Sequence, residues 1–245
     1  MAKAPFDIAQ AVPRIGERAE IVASWYLRFN GFFPLTDFVL HDAGALKQPG
    51  GQLTDADVLA VRFRYTEELI QAPDYTIEVK PDPALGICPA STEFIIAEVS
   101  SGPTKSNWLD ADSQTINRQF LEYVLRRFGF WPARTVVKIA KVLSVDKRYE
   151  GNGARVRLAS FGVTKSGKLP GIEEFTFEEI LSHLRRLFGC YGKQPDGERR
   201  TVVSDHKQWH PLVCALYDRL VGHRQSRLQP AEVVTWLFPD FATKL

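Results

Sequence analysis

Residues 94–102 read FIIAEVSSG, a stretch with the alternation of a β-strand. Side chains along a strand point to the two faces of a sheet in turn, so Ile95, Ala97 and Val99 share one apolar face. The other face carries Glu98 among apolar neighbours. An ionised carboxylate is costly to bury unless it is paired, hydrogen-bonded or bound to a metal. The stretch therefore predicts a buried strand whose one acid needs a partner.

The overall composition is that of a globular protein. The chain has 245 residues, of which 44% are hydrophobic and 24% charged, and its net charge of +2 neither requires nor excludes a nucleic-acid partner. Three well-separated cysteines argue against a disulfide framework and against a Cys-based zinc cluster. No apolar run approaches the roughly 20 residues of a membrane helix, and the first residues lack the pattern of a secretory signal. We therefore expect a cytoplasmic protein without a membrane partner.

The pattern of residues 1–170 predicts a mixed α/β core. Apolar residues at helical spacing predict a first helix over 16–30. An aromatic run at 32–40 predicts a strand that starts after Pro34 or lies at an edge of the sheet. The other predicted elements are a loop at 41–54, a strand at 55–65, a long excursion at 66–92 with a short strand at YTIEVK, the FIIAEVSS strand, a helix at about 110–128, and strands at 134–145 and 154–163.

The character of the chain changes after residue 170. Two amphipathic segments, FTFEEILSHLRRLFGCYG and DHKQWHPLVCALYDRLVGHR, predict helices, and a last short helix is expected from Pro230, which suits the first helical position. We therefore interpret residues 171–245 as a helical C-terminal appendage to an α/β core of residues 1–170.

Three carboxylates occupy informative positions. Glu20 lies in the first helix, Asp57 directly precedes the apolar run VLAV, and Glu98 lies near the end of its strand. Adjacent strands can bring two such acids within a few Å, where they repel each other unless a cation lies between them. Magnesium fits this role, because it prefers hard oxygen ligands and needs only one or two carboxylates besides waters and substrate phosphate.

Four short motifs follow one another along residues 16–145: E-x-x-A-x-x-Y-L-x-x-x-G from Glu20, D-V-L-A-V from Asp57, I-I-A-E-V from Ile95, and Q-F-L-E-Y, which places Gln119 and Tyr123 on one helix face. In order and spacing they resemble the helix and the two motif strands of the PD-(D/E)XK, or restriction-endonuclease-like, nuclease superfamily. The last motif is similar to the Q-x-x-x-Y signature of the exonuclease branch.

The resemblance implies a restriction-endonuclease-like fold, with a mixed β-sheet flanked by helices, and hydrolysis of DNA phosphodiester bonds with Mg²⁺ or Mn²⁺. It implies that Asp57 and Glu98 hold the metal and that water is the nucleophile. It also implies that Glu20 assists catalysis and that Gln119 and Tyr123 position the substrate strand.

The residue two positions after Glu98 departs from the family pattern, which has a lysine there. Ser100 cannot supply a positive charge. We therefore expect Lys105 to take this role, provided that the SGPTK link folds back over the end of the strand towards Asp57 and Glu98. An alternative takes the intact E-x-K at residues 78–80 as the catalytic strand, although the prolines that follow would cut this strand short.

The missing lysine leaves a second function open. The same fold can serve as a catalytically inactive module that binds DNA or a protein partner, and the sequence also leaves a homodimer open. Cleavage of DNA in the presence of the metal distinguishes the two functions.

Overall fold

The computed structural model describes residues 13–41, 52–72, 75–108, 115–191, 208–221 and 227–242. The strands are β1 (Phe33–His41), β2 (Gln52–Arg62), β3 (Glu68–Ala72), β4 (Tyr75–Val79), β5 (Thr92–Val99), β6 (Arg148–Gly151), β7 (Ala154–Gly162) and β8 (Glu173–Thr176). The helices are α1 (Ile15–Arg28), α2 (Arg118–Phe128), α3 (Ala133–Asp146), α4 (Phe177–Tyr191), α5 (Pro211–Val221), α6 (Pro230–Leu237) and α7 (Pro239–Ala242).

Six strands form one mixed sheet with β5 in its interior. The order is β1, β2, β5, β7 and β6, and β8 pairs with β7. Strands β1, β2 and β5 are antiparallel neighbours, whereas β5 and β7 run parallel. Strands β3 and β4 form a separate hairpin. The prediction of a mixed α/β core with helices on both faces of the sheet is therefore confirmed.

The alternation of β5 sends its side chains into two hydrophobic layers, and all eight of its residues are buried. Ile95, Ala97 and Val99 pack in one layer with α1, α4, α5 and α6, which we call the α1 face. Phe94 and Ile96 pack in the other layer with α2 and α3, which we call the α2/α3 face. Glu98 has the parity of Phe94 and Ile96, so its side chain lies on the α2/α3 face.

The predicted first helix and the elements around Pro34 and Pro230 are confirmed. Helix α1 buries the stripe Ala19, Val22, Ala23, Tyr26 and Leu27. Strand β1 includes Pro34 and lies at an edge of the sheet, where the missing N–H of proline costs no ladder hydrogen bond. Helix α6 begins at Pro230.

The predicted strand at 134–145 is wrong, because this segment is helix α3. Its buried residues are Val136, Ile139, Ala140 and Leu143, which follow the i, i+3, i+4, i+7 spacing of a helix face. The valines and isoleucine have strand preference, but burial of one helical stripe against α2 and the sheet outweighs this weak preference. The strand that precedes β7, across the turn at residues 151–153, is instead β6.

Two other predicted elements differ in extent. The excursion at 66–92 contains the hairpin of β3 and β4, and the predicted YTIEVK strand corresponds to β4. Helix α2 begins at residue 118 rather than 110, because the Asn117 side chain caps it by accepting hydrogen bonds from the Gln119 and Phe120 N–H groups. Residues 42–51 of the predicted loop and 110–114 of the predicted helix lie outside the described residues, while 52–54 belong to β2.

The segment after residue 170 contributes to both the sheet and the core. Strand β8 pairs with β7, and α4 packs with α1 on the α1 face. The division into a core of 1–170 and an appendage of 171–245 stays a prediction. Cys88 and Cys190 are free thiols, and the Cys214 thiol donates to the Trp209 carbonyl. No helix among the described residues is long and apolar enough to span a membrane.

Candidate functional site

Glu98 is the centre of the candidate site. Its side chain is 2% exposed, although it lies at the end of β5. Oε2 accepts a hydrogen bond from the Asn107 N–H (2.6 Å), while the buried Oε1 has no hydrogen-bond partner among the described residues and lies 3.6 Å from Lys105 Nζ. Burial, with a smaller contribution from the charge of Asp57, raises the pKa of Glu98 to about 7, although the Asn107 N–H and the Lys105 ammonium oppose the shift. The geometry therefore concentrates negative charge that is only partly compensated.

Asp57 lies on the neighbouring strand. Strand β2 pairs with β5 through Val58 and Ala97, so one further step of the same antiparallel register places Asp57 opposite Glu98. Residues that face each other in this way have side chains on one face of the sheet, with Cβ atoms about 5 Å apart. Asp57 is half-buried, and its Oδ2 accepts a hydrogen bond from the Val99 N–H (2.7 Å). The two acids therefore form a carboxylate pair on adjacent strands.

Lys105 reaches this pair from the link that follows β5. The link first runs parallel to the residues that follow β7, where the Thr104 N–H donates to the Thr164 carbonyl (2.8 Å). It then returns to β7 at Lys105, whose N–H donates to Ser160 Oγ (3.0 Å). Its side chain is 50% exposed, and its ammonium lies 3.6 Å from Glu98. The lysine therefore lies beside Glu98, while its reach to Asp57 and its role in catalysis stay predictions.

Ser100, two residues after Glu98, closes a local turn. Its Oγ accepts a hydrogen bond from the Gly102 N–H (3.2 Å), and its own N–H donates to the Phe161 carbonyl (2.9 Å). A hydroxyl that accepts from the N–H two residues later favours a turn. Ser100 thus helps the link to leave the strand direction.

The other residues of the motifs lie on the two helix layers. Gln119 and Tyr123 belong to α2, which covers the face that carries Glu98; Gln119 is exposed, and Tyr123 is half-buried against that layer. Glu20 is half-buried at the flank of the α1 stripe, and α1 packs on the opposite face of the sheet. The charges that shift the pKa of Glu98 are those of Asp57 and Lys105 rather than Glu20. The structure thus brings together two carboxylates and one lysine.

The alternative E-x-K at residues 78–80 lies elsewhere. Glu78 and Val79 end β4, which pairs with β3 and not with the main sheet. Glu78 and Lys80 are both exposed. These positions lack the buried setting of Glu98.

Strand β5 contains a second buried glutamate, Glu93, whose partners differ from those of Glu98. Glu93 is fully buried, and its Oε1 accepts hydrogen bonds from the Cys88 N–H and from Arg155 Nη1, both at 2.9 Å. Its Oε2 lies 3.3 Å from Arg157 Nε. Arg155 and Arg157 also pair with Glu150 and Glu173, and Glu93 Oε2, like Glu98 Oε1, has no hydrogen-bond partner among the described residues. The two sites differ in charge, because two arginines contact Glu93, whereas Glu98 lies beside Lys105 and the carboxylate of Asp57.

Two groups of this site were missed from the sequence. The Asn107 N–H binds Glu98, and the Ser160 hydroxyl holds the backbone of Lys105. A backbone N–H that binds a side chain cannot be recognised from the residue type, because every residue except proline has one. Ser160 does leave one signal, because it is a polar residue on the otherwise apolar alternation of ARVRLASFG.

The donor set can be compared with what a hard cation needs. Among the described residues, no cluster of three or more His, Cys, Asp or Glu side chains could hold a metal. Mg²⁺ is commonly held by only one or two carboxylates, with waters and phosphate oxygens completing its octahedron. A buried Glu98 oxygen without a hydrogen bond, next to a second carboxylate, fits such a minimal site.

Comparisons with known proteins add no relative to this geometry. No family model, no curated protein and no solved structure matches the chain. Any function therefore has to be argued from the site itself.

Proposed function

We propose that the chain is a magnesium-dependent nuclease that hydrolyses DNA phosphodiester bonds at Asp57, Glu98 and Lys105. The observation that carries the proposal is the Glu98 carboxylate, which is buried beside a second carboxylate, 3.6 Å from a lysine, and has one oxygen without a hydrogen bond in the described part of the chain. The order of a helix with the Glu20 motif and two adjacent strands with Asp57 and Glu98 supports a restriction-endonuclease-like fold.

Asp57 and Glu98 would hold Mg²⁺ or Mn²⁺. When bound, such an ion lowers the pKa of a water nucleophile and offsets charge at the scissile phosphate. The Asn107 N–H binds Oε2 of Glu98 and so orients the carboxylate, whose other oxygen, Oε1, would contact the metal. Its pKa of about 7 means that a fraction of the molecules must lose a proton before this carboxylate can bind a cation at neutral pH.

Lys105 supplies the positive charge of the proposed site. Because half of its side chain is exposed, the ammonium can contact a phosphate from solvent while it stays beside Glu98. A fixed cation at this point stabilises the charge that builds on the phosphate oxygens in the transition state. Gln119 and Tyr123 keep their proposed role of positioning the strand, because α2 covers the same face. The proposed assistance of Glu20 has no comparable support, since α1 packs on the other face.

The test is cleavage of plasmid and linear DNA by the purified chain with Mg²⁺ or Mn²⁺, with a chelated sample as control. Asp57→Asn should abolish cleavage, because it removes a charge while keeping an acceptor for the Val99 N–H. Asp218→Asn, the same change at an exposed position of α5, should leave cleavage unchanged. Wild-type cleavage rates in the Asp57→Asn variant would remove Asp57 from the site.

A second function is favoured by Ser100, whose hydroxyl is used in a turn and supplies no charge. In this proposal the chain is a catalytically inactive module that binds DNA or a protein partner in the cytoplasm, alone or as a homodimer. Retention of labelled DNA without cleavage and without Mg²⁺ binding would favour the module over the nuclease.

A further inference from the structure

We propose that Ser160 on β7 is the positioning residue that places Lys105 in the site. The inference rests on the proposed nuclease function and deepens it, because the lysine is then set by a strand that carries none of the recognised motifs. The Ser160 hydroxyl makes its hydrogen bonds with the backbone of Lys105 and acts through it.

The contacts of Ser160 fix this backbone from both sides. Its hydroxyl accepts a hydrogen bond from the Lys105 N–H (3.0 Å) and donates one to the Lys105 carbonyl (2.7 Å). Ser160 is fully buried, so water does not compete for these bonds. With both polar backbone groups of Lys105 bound to one hydroxyl, this part of the link cannot slide along β7.

The register of the sheet explains why this anchor brings the ammonium to Glu98. Ser160 pairs with Glu98 across the parallel strands β5 and β7, and both side chains lie on the α2/α3 face. Neighbouring strands are about 4.8 Å apart. A lysine whose backbone is held over Ser160 therefore needs to span only one strand spacing, which its stem of about 6 Å does.

A second anchor holds the residues just before Lys105. The Val163 N–H donates to the Gly102 carbonyl (2.7 Å), and the Thr104 hydroxyl donates to Glu174 on β8. A Cβ at Gly162 would lie 2.6 Å from the Thr104 nitrogen and 2.8 Å from the Gly102 oxygen, both of which are backbone atoms. The link therefore lies directly on the backbone of β7, and a side chain at Gly162 would push it away.

The first experiment compares Ser160→Ala with Ser144→Ala, a control that removes a hydroxyl bonded within α3. In DNA cleavage assays, Ser160→Ala should lower kcat by about 10- to 100-fold, as expected for a catalytic group displaced by about 1 Å, with KM nearly unchanged. Ser100→Lys in the Ser160→Ala background should recover at least part of kcat, because a lysine at 100 does not depend on the anchor. A purely structural role for Ser160 predicts no such recovery.

The second experiment does not depend on cleavage. Amide hydrogen exchange of Lys105, measured by NMR in metal-free protein, should be slow in the wild type and much faster in Ser160→Ala. If Ser160→Ala does not fold, Gly162→Ala and Ser160→Cys, whose thiol is a weaker donor, should show the same directions in both assays.

The outcomes separate the inference from the function on which it rests. Faster exchange at Lys105 with unchanged kcat would overturn the positioning role, and unchanged exchange would show that Ser160 does not hold the link. If Ser160→Ala lowers kcat and adding Ser100→Lys does not raise it, the positioning role would also be overturned. No cleavage by the wild type, with the exchange result as expected, would refute the nuclease and leave Ser160 as an anchor of the link without a catalytic purpose.

Discussion

Replacing Glu98 with glutamine should stabilise the chain above neutral pH and change its stability little under acidic conditions. Burial raises the pKa of Glu98 from 4.5 to about 7. A carboxyl group whose pKa is higher in the folded state contributes stability that is complete below pH 4.5 and is lost as the pH rises through about 7. Glutamine does not titrate, and its carbonyl still accepts the hydrogen bond from the Asn107 N–H.

The shift fixes the size of the effect. The rise from 4.5 to about 7 corresponds to about 3 kcal/mol in the free energy of unfolding. Between about pH 4.5 and pH 8 the wild type should become less stable by this amount relative to Glu98→Gln. For a chain of this size, 1 kcal/mol changes Tm by about 2–4 °C, so the gain at pH 8 should be about 6–12 °C. Thermal denaturation followed by circular dichroism at the two pH values measures it.

The matched control is Glu122→Gln, which removes an acid of the same type from a surface pair with Arg118 on α2. Its effect should be below about 1 kcal/mol at both pH values. A Glu98→Gln variant that is no more stable than the wild type at pH 8, or whose stability difference does not depend on pH, would refute the argument that this carboxylate is buried without full compensation.

Three further substitutions test Glu93, Lys105 and Ser100. Glu93→Gln should destabilise the fold by about 1–3 kcal/mol in urea denaturation, because it removes the buried charge that Arg155 and Arg157 share, although Glu173 still pairs with Arg157; a stabilised variant would contradict this. Lys105→Ala should abolish cleavage and raise the pKa of Glu98 further, because it removes a charge that lowers this pKa, and NMR titration of the labelled carboxyl measures the shift. Ser100→Lys in the Lys105→Ala background should restore part of the cleavage. A double variant without cleavage would argue that a lysine at residue 100 cannot replace Lys105.

The sequence could predict elements whose periodicity is complete within a short segment. The alternation of residues 94–102 predicts β5 with a buried acid, and the stripe on residues 16–30 predicts α1. The prediction of a strand at residues 134–145 was wrong, because the strand-forming side chains there also fit a helical stripe. The neighbouring layer formed by α2 and the sheet decides between the two patterns by burying one of them.

The site divides in the same way. The sequence identified Asp57, Glu98 and Lys105 one by one, because an acid at a strand end and a displaced lysine are visible in residue order. Their proximity depends on the β2–β5 register and on a link that returns to β7 at Lys105.

The sequence by itself determined which segments alternate, which carry a helical stripe, and where acids interrupt them, since these properties depend on the backbone geometry of neighbouring residues. Only the tertiary structure decided that Ser160 holds Lys105, which lies 55 residues earlier in the chain. Parallel pairing of β5 and β7 requires the crossover through α2 and α3, and the register is then set by packing on both faces. That register brings a buried hydroxyl next to Glu98 and thereby fixes the position of the lysine.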